Sequence, residues 1–316
     1  MILSNPAHIV KLKPLFTFHE LTILSIVRHP PPIILRVETR VAIDIFGLQI
    51  YWYGILLTIG MMLAVHLAAM ELKRLGVAPQ VMWDGALIIL GLGILGGRLY
   101  HAFSEYNDGT LGWSYYRNHP LEIITGIRDG GLGIYGGVVA GGLGALYVAL
   151  RNRVRPGIMA DCLAPALPLG QAIGRWGNYA NQELYGPPTG SSWWGITIAP
   201  WARVPPYNNL DQYPLDLHFH PTFLYESIYS FIGVILMLWI GRKFSDKLHT
   251  GDLFGLYMIY YGIGRGLLES TVRLDAATYG TGPLPTAVLF SLAFIAGGIV
   301  ILVGNRLFKT KMQLQV

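Results

Sequence analysis

The feature that most constrains this chain is a succession of apolar stretches, each close to the roughly 20 residues needed to cross a bilayer core. Seven have usable boundaries: Phe46 to Leu72, Met82 to Phe103, Gly130 to Leu150, Gly157 to Trp176, Thr222 to Ile240, Leu253 to Leu268 and Leu284 to Val303. Asp161, Pro165 and Pro168 interrupt the fourth, and the sixth is short and carries a charge. The composition agrees with a membrane protein, because 53% of the 316 residues are hydrophobic and only 13% charged, too apolar for an ordinary soluble domain. The 39 glycines lie within the apolar runs without a triplet period, which fits close helix packing. The expectation is an all-α integral membrane protein of about seven transmembrane helices, forming one domain over residues 41–310 with a tail at 311–316.

Residues 1–40 are expected to be an interfacial or disordered extension. The apolar run from Leu15 to Val27 is short, contains His19 and Glu20, ends at Pro30, Pro31 and Pro32, and lacks the small-residue cleavage pattern of a signal peptide.

Basic residues near helix ends mark the cytoplasmic side of a membrane protein. Here they follow every second stretch: Lys73 and Arg74, then Arg151, Arg153 and Arg155, then Arg242, Lys243 and Lys247, then Arg306, Lys309 and Lys311. This pattern puts the amino terminus outside and the carboxyl terminus inside. The connections from Ser104 to Asp129, Pro187 to Pro221 and Thr271 to Pro283 then face outward and hold much of the Trp, Tyr, Asn and Pro. The longest, between spans four and five, carries Trp193, Trp194 and Trp201 and is expected to form an arm at the outer surface.

The formal net charge of +5 is spread along the chain without a nucleic-acid motif, so no nucleic-acid partner is expected. The single cysteine, Cys162, permits neither an internal disulfide nor a multi-cysteine metal site and reads as packing.

Three arginines lie inside or at the ends of apolar stretches, where each costs on the order of 3 kcal/mol unless it has a partner or a polar cavity. Arg98 is late in span two, Arg175 ends span four, and Arg265 is in span six. These spans run in the same direction, so all three arginines should converge in the outer half of the bilayer. One reading is structural, with Glu183, Glu226 and Glu269 as their partners; Arg265 and Glu269 have the four-residue spacing of an intrahelical ion pair. The other is a buried site for a phospholipid phosphate, whose oxygens suit the planar guanidinium fork.

The segment Gly174, Arg175, Trp176, Gly177, Asn178, Tyr179, Ala180, Asn181, Gln182, Glu183, Leu184, Tyr185, Gly186 is dense in the residues such a site needs. Its glycines would let the chain leave the helix and approach a ligand, while Asn and Glu supply polar contacts. This segment resembles the signature of the prolipoprotein diacylglyceryl transferases. The likeness continues in order through Trp52, Tyr53, Gly54; Gly96, Gly97, Arg98; Asp129, Gly130, Gly131; Asp161, Pro165, Pro168; His220, Pro221, Tyr225, Glu226; and Arg265 with Glu269.

Two positions depart from the family pattern. Many members carry a histidine in the glycine-rich turn of span three, where this chain has Tyr135, so a histidine base does not transfer to it. The spacing from Glu269 to Arg273 is also one residue longer.

The resemblance implies transfer of a diacylglyceryl group from phosphatidylglycerol to the lipobox cysteine thiol of a preprolipoprotein, releasing glycerol 1-phosphate. It implies a bacterial cytoplasmic membrane location, an active site toward the outer leaflet, and no metal or organic cofactor. By the same resemblance, Arg175 and Arg265 are the phosphate clamp. Asn178, Glu183, Glu269, Tyr53 and Arg98 contact the lipid, and Gly174, Gly177, Asn181, Gly186 and Glu226 shape the site. Tyr135 is counted with Arg175 and Arg265 among the catalytic residues, in a contact or positioning role first, because a phenol that ordinarily titrates at about 10 is a poor base unless nearby arginines lower it. A phospholipid or small-anion transporter, another phosphatidylglycerol-using enzyme and an assembly factor are the alternatives. No duplicated half supports the first.

Overall fold

A computed structural model describes residues 17–18, 40–46, 48–104, 112–126, 131–274 and 286–307. The elements in chain order are β1 (Thr17–Phe18), β2 (Val41–Ile45), β3 (Leu48–Tyr51), α1 (Trp52–Arg74), α2 (Gln80–Phe103), α3 (Trp113–Tyr116) and α4 (Glu122–Thr125). Then come α5 (Ile134–Arg151), α6 (Pro156–Asn181), β4 (Ile196–Thr197), β5 (His218–Phe219), α7 (Thr222–Lys243), α8 (Asp252–Thr271) and α9 (Thr286–Leu307).

All seven apolar stretches are helical along most of their length, and five of the helices are long and apolar enough to cross a membrane: α1, α2, α5, α7 and α9. The protein is thus a mostly helical membrane protein. The other two long helices, α6 and α8, are the interrupted and the charged stretches, and they lie among the rest, α6 against α1, α7 and α8. Outward faces of the apolar helices are exposed and hydrophobic, with Leu87, Val139, Leu143, Ile235 and Val300 all bare. In a bilayer those faces meet lipid rather than water.

Glycine seams bring helices together. A Cβ on Gly96 would strike the Gly136 carbonyl on α5, and one on Gly255 would lie 3.1 Å from the Gly298 carbonyl on α9. Without a hydrophobic force between helices in lipid, such backbone approach supplies the packing contacts. A buried cluster that includes Leu72, Met82, Val148, Ile158 and Cys162 ties α1, α2, α5 and α6 together, so Cys162 is indeed packing, at 0% exposure.

Several boundaries differ from the sequence expectation. The first long helix begins at Trp52 rather than Phe46, because β2 and β3 pair as an antiparallel hairpin immediately before it. Its predecessors also make the fold not purely α, since β4 and β5 form a second small sheet. Gly131 to Gly133 are not helical, so the third long helix starts at Ile134; Asp129 and Gly130 lie outside the described residues. Pro165 and Pro168 do not end α6, which starts with Pro156 in its first turn and runs on to Asn181. A membrane helix tolerates internal proline when neighbouring helices and local adjustment accommodate the freed carbonyls. The extension expected at 1–40 falls almost wholly outside the described residues, as do 311–316.

The segment between α6 and α7 is a folded unit. Its core is Tyr185, Ile196, Ile198, Phe219 and Phe223. Arg203, 5% exposed, donates from Nε to the Ile198 carbonyl at 2.9 Å, from Nη1 to those of Tyr213 and Pro214 at 3.0 Å, and from Nη2 to that of Leu215 at 2.9 Å. One side chain thereby satisfies four carbonyls in a segment with little ladder of its own.

Candidate active site

The site forms where the C-terminal ends of α6 and α8 meet the N-terminal end of α7. The last turns of α6 carry Arg175 and Asn178, the second turn of α7 carries Glu226, and the end of α8 carries Arg265 and Glu269. The α6 helix stops because Gln182 takes the left-handed conformation (φ 55°, ψ 44°), the usual geometry of a helix end but here without glycine. Leu184 is also left-handed, at φ 56°. Such residues persist only where surrounding contacts hold them. The Gln182 Oε1 accepts the Ala199 N–H at 2.7 Å, and the Tyr185 hydroxyl accepts the Val204 N–H at 2.7 Å while donating to the Ala202 carbonyl at 3.0 Å.

A relay of charges crosses three helices. Arg175 Nη2 pairs with one oxygen of Glu226, and Arg265 Nη1 pairs with the other at 3.0 Å. Arg265 Nη2 reaches Glu269 at 2.8 Å, and Arg273 Nη1 meets both Glu269 oxygens at 3.1 Å. At the other end, Arg175 Nη1 donates to Asn178 Oδ1 at 3.3 Å, and Asn178 Nδ2 donates to Glu183 at 2.8 Å. Asn181 adds a second donor to the same Glu183 oxygen at 3.3 Å. The side chains of Arg175, Glu226 and Arg265 are 19%, 12% and 14% exposed, and Glu269 2%. Removing one member of such a desolvated set would cost several kcal/mol through the charge left behind. Counted as formal charges, Arg175, Arg265 and Arg273 balance Glu183, Glu226 and Glu269.

Two guanidiniums directed at one carboxylate also make the geometry in which arginines grip a phosphate. Of the three arginines expected to converge, Arg175 and Arg265 do so, on Glu226. Arg98 does not join them. Its Nε donates to the Ile123 carbonyl at 2.7 Å and its Nη2 to that of Glu122 at 2.6 Å, with Nη1 3.2 Å from that of Gly131 and the Tyr116 ring alongside. Depth along a helix placed it in the same layer, but rotation about the bundle set it against the segment between α2 and α5.

The glycines of the signature act through packing. Gly177 does not release the chain from α6; a Cβ there would come within 2.7 Å of the Tyr53 ring, so its role is to seat Tyr53 beside the relay. Gly174 faces Leu57 at an ordinary contact distance, and Gly186 lets the chain pass between His220 and the Val272 carbonyl. Tyr135 lies with its ring stacked on Phe290, centroids 3.7 Å apart, and edge-on to Tyr100. Around the entrance to α7, Trp194 Nε1 donates to the Tyr225 hydroxyl at 3.1 Å, which lies 2.9 Å from His220 Nδ1. Among the described residues, no three His, Cys, Asp or Glu side chains gather as a metal site.

Sequence reasoning missed Arg203 and the Trp194, Tyr225, His220 chain. Arg203 sits in a proline-rich loop where an arginine is ordinarily solvated, and nothing local marks it as buried. Only the concentration of aromatic residues in that segment hinted at a core.

Fold and site together define a class, the helical membrane proteins with a string of mostly buried arginine–carboxylate pairs at one end of the bundle. Comparison with known proteins narrows this. Residues 40–304 match the family described as prolipoprotein diacylglyceryl transferase, and the chain belongs to that family. It is 36% identical over 267 residues to a phosphatidylglycerol–prolipoprotein diacylglyceryl transferase from Bacillus cereus (strain G9842), covering 84% of this chain and 92% of the relative. A protein of the same description from Bacillus anthracis (strain CDC 684 / NRRL 3495) shows the same identity and coverage.

Proposed function

We propose that this protein transfers the diacylglyceryl group of phosphatidylglycerol to the lipobox cysteine thiol of preprolipoproteins, the first step of lipoprotein maturation. The observation that carries this reading is the pairing of Arg175, from the signature segment, with Arg265 on a single carboxylate. In the reaction, the thiol gives up its proton and its sulfur attacks the glycerol carbon that bears the phosphate. A carbon–sulfur bond forms, the carbon–oxygen bond breaks with its electrons on the phosphate oxygen, and glycerol 1-phosphate leaves. The chemistry asks for a stabilised phosphate and a thiolate from a group that ordinarily titrates near 8.5. Guanidiniums favour both.

In the resting site Glu226 occupies the place between Arg175 and Arg265, so the lipid phosphate must compete with it for the two forks. Asn178, Glu183 and Glu269 orient the arginines or the headgroup hydroxyls, and Tyr53 borders the headgroup. Arg98 fixes the segment around Glu122 and Ile123 rather than reaching the two forks. Residues 41–310 form the transferase domain and 1–40 an extension. The domain crosses the bacterial cytoplasmic membrane seven times with α6 and α8 included, amino terminus outside, and the site opens to the outer leaflet. Basic residues at the C-terminal turns of α1, α5, α7 and α9 support that orientation.

The test is to incubate purified protein in phosphatidylglycerol-containing detergent with a lipobox peptide. Peptide mass and released glycerol phosphate are both measured. A diacylglyceryl mass gain with stoichiometric glycerol phosphate is expected; intact peptide and lipid from folded protein would overturn the reading.

A further inference from the structure

Just beyond the C-terminal end of α6 lies a cavity of about 120 Å³, with Glu183 on its lining. Asn181, Glu183 and Tyr185 from the signature segment line it together with Val204 of the α6–α7 segment, Leu274 after α8, and Arg40. A single water needs only about 10–15 Å³, so the space takes a small organic molecule. Its walls are pre-set: the left-handed residues Gln182 and Leu184 flank Glu183, and the hydrogen bonds of Gln182 to Ala199 and of Tyr185 to Val204 lock the two sides.

The polar groups on the lining are unlike those of the relay. Arg175, Arg265 and Arg273 are all committed to carboxylates, whereas Arg40 has its guanidinium 4.0 Å over the Trp201 ring. Among the described residues no carboxylate pairs with Arg40. A stacked arginine keeps its N–H edges available for an anion. Glu183, exposed to the cavity and acceptor of two amide donors, still offers oxygen lone pairs to hydroxyl groups. The same carboxylate repels a bare anion placed against it. The combination selects a ligand with a phosphate at one end and hydroxyls at the other.

We propose that this cavity is a binding site for a glycerol phosphate group, with Arg40 on the phosphate and Asn181 and Glu183 on the hydroxyls. The inference rests on the transferase reading for the ligand's origin, since that reaction would free glycerol 1-phosphate between Arg175 and Arg265, and Arg175 is linked through Asn178 to Glu183 on the cavity wall. The cavity then receives the leaving group as it departs, and accumulated product competes there.

Isothermal titration calorimetry on the full-length protein in detergent decides this with three probes: glycerol 1-phosphate, inorganic phosphate and a short-chain phosphatidylglycerol. Glycerol 1-phosphate should bind at least tenfold more tightly than inorganic phosphate. Arg40→Gln and the cavity-filling Val204→Phe should each weaken glycerol 1-phosphate at least tenfold, in proteins whose thermal unfolding matches wild type. Arg175→Ala should instead chiefly weaken the short-chain lipid, which separates the free product from the headgroup of the intact lipid. Absence of glycerol phosphate binding to wild type, binding unaffected by both Arg40→Gln and Val204→Phe, or binding lost through Arg175→Ala alone would overturn the proposal. If wild type binds with this mutational pattern yet transfers nothing to peptide, the cavity stands as a polyol phosphate site and the transferase reading falls.

Discussion

Arg175 is the residue on which the site turns, because it joins the two halves of the relay, holding Asn178 on its own helix and Glu226 on α7. Lysine keeps the charge but loses the planar fork that meets two partners at once. Arg175→Ala should therefore abolish transfer, and Arg175→Lys should lower kcat/KM by at least about 10- to 100-fold, the size of one or two charge-assisted hydrogen bonds. Membrane insertion should survive in both, as checked by fractionation beside the activity assay. Tyr135 invites the opposite prediction. Its observed contacts are ring contacts with Phe290 and Tyr100, so Tyr135→Phe should keep turnover within about twofold, whereas a large loss of kcat would return the hydroxyl to the chemistry. The signature segment was legible in the sequence because its functional groups lie within a few turns of one another. Glu226 is different: its candidacy as a partner was readable, but that it would serve two arginines at once depends on how α6, α7 and α8 meet.

At the scale of elements, the segment from Pro187 to Pro221 shows where sequence reading ends. Hydropathy and aromatic content announced a surface arm, and no periodicity announced its core. What organises it is Arg203, whose burial pushes its pKa down from the usual arginine range. A lowered pKa on a cation means the charge is lost only as pH rises through the folded value. Arginine starts so high that the guanidinium stays protonated at ordinary pH, and the arm should keep its order as pH falls. Arg203→Leu leaves the carbonyls of Ile198, Tyr213, Pro214 and Leu215 without their donor, at a cost of about 1–3 kcal/mol for each left buried. Limited proteolysis should then cut between residues 198 and 217 while the helical circular dichroism of the bundle persists; an unchanged cleavage pattern would show that the aromatic core alone suffices. The extent of α6 was likewise hidden, since Pro165 and Pro168 mark a break in a soluble helix but not in one embedded among α1, α7 and α8.

For the molecule as a whole, the count and order of long helices were readable from apolar runs, while their rotation about the bundle was not, which is why Arg98 was grouped with the wrong neighbours. Orientation is open to a direct check that the chain makes simple. Cys162 is fully buried, so the native protein should give little background with a thiol reagent that cannot cross membranes. In intact cells Trp193→Cys, at a position 69% exposed, should label, and Arg153→Cys between α5 and α6 should label only after permeabilisation. The reverse pattern would invert the topology.

The formal balance of three guanidiniums against three carboxylates, two of which they pair with directly, has a consequence for how such a protein behaves in its surroundings. A membrane leaflet rich in anionic lipids would crowd a strongly cationic pocket with every headgroup that passed. A site that is electroneutral at rest does not attract them from a distance, and its pairs, mostly shielded from solvent, are weakly screened. On the proposed reading, discrimination then falls to short-range exchange, in which a headgroup has to replace Glu226 on both arginines. Initial rates should accordingly change less than about twofold between low and physiological ionic strength, whereas a steep salt dependence would show that long-range attraction governs capture.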